Sequence, residues 1–75
     1  MSELSFGEKA VGLTFDPSND ADVDKIKRLY ATIIDLLEGM RNETTSGERK
    51  RHLSIAINLA EEAQMRAVKG VTWRD

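Results

Sequence analysis

The sequence predicts an all-α fold: an antiparallel helical hairpin, residues 20–42 and 46–72, preceded by a short N-terminal segment. Three observations carry this. Apolar residues recur at helical spacing through two long segments, a short polar stretch NETTSG separates them, and capping residues mark the start of each.

The N-terminal arm, residues 1–18, contains FGEKAVGLTFDPS at residues 6–18, with two glycines, both phenylalanines and the only proline of the chain. Phe6, Val11 and Leu13 are expected to cover apolar surface left by the hairpin, with Gly7 and Gly12 permitting bends. The hairpin, residues 19–75, follows. Its first helix starts after Pro17, with Ser18, Asn19 and Asp20 as capping types and Asp20, Asp22 and Asp24 at the positive end of the helix dipole. Val23, Ile26, Tyr30, Ile33, Leu37 and Met40 alternate at spacings of three and four, the pattern of a packed seam. Leu29, Ile34 and Leu36 widen that stripe beyond what one partner helix covers. Gly39 disfavours helix by about 1 kcal/mol relative to Ala, so fraying is expected over residues 39–42.

Thr45 and Glu48 match a T-x-x-E capping box, which starts the second helix at about Ser46 and leads it to Val71 or just beyond. A short connection makes the two helices antiparallel neighbours. Ala56, Ala60, Ala63, Ala67 and Gly70 form a small-residue seam. It either accepts the large residues of the first helix or packs on another subunit. Leu53, Ile57, Val68 and Val71 lie on one flank, and Ile55 and Leu59 on another. Two helices offer each other one face apiece, so the surplus apolar faces predict a homo-oligomer.

Length and composition narrow the function. Seventy-five residues make one domain. There is no cysteine and a single histidine, His52, so neither a metal site nor any other cofactor is expected. The formal net charge is -2, which argues against duplex DNA as a partner. No apolar run approaches the ~20 residues of a membrane span and no signal peptide is evident, so a cytoplasmic location and no membrane partner are expected.

Catalysis finds little support. Ser54 and His52 fall on roughly opposite sides of a helix, Glu61 and Glu62 point apart, and no hydrolase, metalloprotease or phosphate-loop motif is present. Three basic groups remain: Arg49, Lys50 and Arg51 beside His52; Lys25, Lys27 and Arg28 close in sequence to Phe15; and Arg66 and Lys69 with Trp73 at i, i+3 and i+7. The first is a solvated hairpin end or a phosphate patch. The second is either paired with Asp22 and Asp24 or open to a ligand. The third combines cations with an aromatic ring, as nucleotide sites do, although a C-terminal Trp also serves as a packing anchor.

The ordered set FGEKAVGLTFDPS, VDKIK, HLSIAI and AEEAQMRAVKGVTW resembles, over nearly the whole chain, the phage anti-CBASS sponges, whose helical-hairpin domain also occurs in a Thoeris anti-defence sponge. The resemblance implies a hexamer of hairpins that binds cyclic di- and trinucleotide immune messengers and withholds them uncleaved from their effectors. It also implies that an aromatic residue ahead of the first helix stacks on a base and a basic residue in its first turns contacts phosphate. In this chain those positions are Phe15 and Lys27, with phenylalanine where family members carry tyrosine. Lys25, Arg66 and Lys69 complete the expected ligand-binding set. The rival readings are a protein-interaction module with no nucleotide ligand and a nucleic-acid binder using the cluster at Arg49 to Arg51.

Overall fold

The structure, a computed structural model, describes residues 3–14 and 20–75. Among the described residues three helices follow in order: α1 (Phe6–Ala10), α2 (Ala21–Glu43) and α3 (Gly47–Thr72). No strand occurs among the described residues. Helices α2 and α3 pack as the hairpin, joined by residues 44–46, and α1 packs on α2.

The N-terminal arm is more ordered than an irregular preface. Ser5 caps α1 in a full capping box: its hydroxyl accepts from the Glu8 amide at 3.1 Å, and the Glu8 carboxylate accepts from the Ser5 amide at 2.7 Å. Helix α1 then ends in a turn where Gly12 has φ 62, a left-handed conformation that glycine adopts without a steric cost. Gly7 does something other than permit a bend. A Cβ there would fall on the Ala31 carbonyl oxygen, so its bare α-carbon lets α1 lie directly on the backbone of α2.

Helix α2 starts at the Asp20 cap, whose carboxylate accepts from the Asp22 amide at 2.8 Å. It does not fray over residues 39–42 but runs to Glu43. Local side-chain bonds offset the cost of Gly39: Asn42 donates to Glu38, and Arg41 donates to Ser54 of α3 at 3.2 Å. The cap of α3 also differs from expectation. Ser46 is the N-cap, accepting from the Arg49 amide, while Glu48 pairs with Arg51 and His52 instead of closing a box with Thr45.

The core consists of Val11, Leu13, Ala31, Ile34 and Ile57, with Leu4, Ala10, Tyr30, Leu37 and Ala60 packed around it. Burying side chains such as Ile34 and Ile57 stabilises by about 1.5–3 kcal/mol each. The buried line of α2 is Val23, Lys27, Ala31 and Ile34, which overlaps the predicted seam in part: Val23 of that seam is buried and Tyr30 and Leu37 pack against the core, whereas Ile33 and Met40 are 48% exposed. The reason is that α2 has partners on two sides, α1 as well as α3, and its buried line lies between them. Of the small-residue seam of α3, Ala60 packs against the core, whereas Ala63 and Gly70 are exposed.

What remains outside is extensive. The chain is thin, 46 × 34 × 13 Å, and Leu29, Ile33, Leu36 and Met40 form an exposed stripe at spacings of four, three and four. Ile55, Leu59 and Met65 are exposed on α3.

Candidate functional site

Lys27, Ala31 and Asp35 follow one another at i, i+4 and i+8, so they share one face of α2. Helix α1 lies along this face, antiparallel to α2. At its start Asp35 accepts from the Gly7 amide at 2.6 Å and from the Ser5 hydroxyl at 2.7 Å. Beyond its end the Lys27 ammonium donates to the Gly12 carbonyl at 3.1 Å. A carboxylate at the amide end and an ammonium at the carbonyl end complement the dipole of the short helix.

Lys27 is only 6% exposed, a buried cation held just beyond the C-terminal end of α1. Burial of a charge is tolerated where it is hydrogen-bonded, and Gly12 supplies such a partner. Lys25, two residues earlier, is exposed. Arg28 forms an exposed pair with Asp24 at 2.8 Å. The hydrogen bond to Asp24, and then its charge, push the Arg28 pKa up from its ordinary value. Phe15 lies outside the described residues, as do Pro17, Ser18 and Asn19.

Arg66 and Lys69 share a face of α3 one turn apart. Both line a recess of about 590 Å³ with Leu59, Glu62, Ala63 and Met65, and a second of about 400 Å³ with Gly70 and Trp73. Helix α3 ends at Thr72, so Trp73 is its C-cap rather than a helical residue. Its ring nonetheless stands by Lys69, with the ammonium 5.8 Å from the ring centroid. Antiparallel packing puts the N-terminal half of α2 and the C-terminal half of α3 at the same end of the hairpin, opposite its connection. Lys25, Lys27, Arg66 and Lys69 thus gather toward one end, in two groups on separate helices.

The opposite end is less basic than its sequence suggests. Glu48 accepts twice from Arg51, at 3.1 Å each, and lies 3.4 Å from His52 Nε2, all on the surface. Among the described residues no cluster of His, Cys, Asp or Glu could hold a metal ion, and no helix is long and apolar enough to cross a membrane.

Sequence reasoning missed three residues of the arm's anchorage. Ser5 carried a signal, the S-x-x-E spacing to Glu8. Asp35 carried another, as the lone acid inside the apolar run IIDLL. The carbonyl of Gly12 carried none, because a backbone acceptor has no side-chain signature.

Fold and site together define a small helical hairpin with a strapped N-terminal arm and with Lys25, Arg66 and Lys69 exposed toward one end. The Acb2/Tad1 hairpin-domain family model matches residues 8–72, and the chain belongs to that family, the anti-CBASS and Thoeris sponges. Its role is accordingly of the sponge type, in anti-defence, and the family comprises cyclic-oligonucleotide binding proteins, not known enzymes. Comparison with curated proteins and with solved structures returned no match.

Proposed function

We propose that this protein binds cyclic di- and trinucleotide immune messengers in the cytoplasm of an infected bacterium and sequesters them uncleaved, so that CBASS effectors are not activated. The observation that carries this reading is the family match over residues 8–72. The arm and hairpin act as one domain, and the working form is a homo-oligomer, a hexamer. The thin shape and the uncovered stripe at Leu29, Ile33, Leu36 and Met40 support association.

Phe15 stacks on a base, Lys27 and Lys25 contact phosphate, and Arg66 and Lys69 provide further phosphate contacts near Trp73. Stacking contributes about 1–3 kcal/mol per base. Two stacked bases with charge-assisted phosphate contacts are compatible with nanomolar affinity, about 12 kcal/mol. The test is calorimetry with 3',3'-cyclic GMP-AMP and with cyclic triadenylate, followed by chromatography of the ligand released on heating. Tight binding with intact ligand is expected. No binding of either at micromolar protein overturns the reading.

The exposed apolar stripe of α2 supports a second reading, a protein-interaction module with no nucleotide ligand. It predicts a monomer or dimer by native mass and no heat on titration with cyclic nucleotides.

A further inference from the structure

The anchorage of α1 connects Asp35 to Lys27 through a short hydrogen-bonded path. We propose that Asp35 is a positioning residue for the ligand site, acting through α1 and the Gly12 carbonyl on the Lys27 ammonium. The proposal rests on the reading of Lys27 as a phosphate contact.

Each link has a geometric basis. The Asp35 carboxylate takes the Gly7 amide and the Ser5 hydroxyl at 2.6 and 2.7 Å, which fixes the start of α1 along α2. Gly7 seats the helix against Ala31 with no side chain between them. Helix α1 has only five residues, hydrogen-bonded through its turn: the Gly12 amide donates to Lys9 and the Leu13 amide to Glu8. Val11 and Leu13 are both buried in the core, so Gly12 is held on either side. Its left-handed conformation sets the direction of its carbonyl, and that carbonyl accepts from Lys27. A slip at the Asp35 end moves the Gly12 carbonyl, an acceptor that helps to orient the cation.

This relay makes a specific demand on energetics. A residue that acts only through Lys27 has nothing left to do once Lys27 is gone, so the two substitutions are not additive. A general loss of fold gives losses that add.

The test is a double-mutant cycle read by calorimetry with 3',3'-cyclic GMP-AMP, using the full chain, Asp35→Asn, Lys27→Met and the combination. Circular dichroism and native mass check each variant for fold and assembly. Asp35→Asn is expected to weaken binding about tenfold, which is about 1.4 kcal/mol. The combination is expected to bind no more weakly than Lys27→Met alone. Unchanged affinity in Asp35→Asn, or losses that add, overturns the positioning role while the messenger-binding function stands. If the unsubstituted protein binds no cyclic nucleotide, the function falls and this proposal with it. Should Asp35→Asn fail to fold, Ser5→Ala takes its place in the cycle, with an expected loss of about threefold and the same non-additivity.

Discussion

Lys27 and Asp35 stand two turns apart on one face of α2 and hold opposite ends of α1, the acid at its amides and the base beyond its carbonyls. The arm is thereby built into the hairpin by charge as well as by its apolar residues. Helix α1 alone, at five residues, is far below the length at which an isolated helix persists in water.

Removal of the acid leaves the Gly7 amide and the Ser5 hydroxyl without their acceptor. Asp35→Ala is expected to destabilise the chain by about 2–3 kcal/mol, since hydrogen bonds to charged groups are the stronger kind. Urea unfolding followed by circular dichroism measures it. A change below about 0.5 kcal/mol shows that the arm is held without Asp35.

The same substitution at two glycines is expected to have opposite signs. Gly7→Ala pushes a methyl group into the Ala31 carbonyl and is expected to cost about 1–3 kcal/mol, as overpacking does. A methyl group at Gly39 would meet nothing within 4 Å, so Gly39→Ala is expected to stabilise α2 by about 0.5–1 kcal/mol. Thermal melts of the two variants decide it. A destabilised Gly39→Ala places that position against a second subunit.

The exposed stripe of α2 gives a test of assembly. Ile33→Lys with Leu36→Lys puts two charges where side chains are 48% and 60% exposed, so the fold of the single chain is expected to survive. Native mass is expected to fall toward the monomer while helix content holds. Retention of the original mass removes this face from the subunit interface.

Trp73 is the only tryptophan, so its fluorescence reports the recess it shares with Arg66 and Lys69. Titration with cyclic triadenylate is expected to change its emission, and Lys69→Met is expected to weaken that response about tenfold. An emission unmoved by saturating ligand shows that the nucleotide binds elsewhere.

The sequence foretold the hairpin well because its signals are periodic and local. The helices begin and end close to their expected bounds, and NETTSG marks their connection. The seam was less legible. Counting threes and fours from Val23 leads to Ile33 and Met40, but α1 draws the buried line across to Lys27 and Ala31. A lysine in a core line has no hydropathic signal, and its acceptor at Gly12 lies fifteen residues away. Arg66, Lys69 and Trp73 were expected on one helical face; the helix stops before Trp73, yet Lys69 stands by its ring and Arg66 lines the same recess. Arg41 was not foretold: it stacks over Phe6 at 5.5 Å and also reaches Ser54, touching all three helices. Such a junction exists only once the helices are assembled.

Each helix here packs chiefly on its neighbour in sequence, α1 on α2 and α2 on α3. That order has a kinetic consequence. Turns within each helix form from local contacts, whereas docking Gly7 on Asp35 closes a span of 28 residues, so docking is the slower step. On the ribosome the arm and α2 emerge first, yet Ile57 sits in the core they share. The first two helices must therefore wait for the middle of the third, and the core is complete only once Ile57 has joined it.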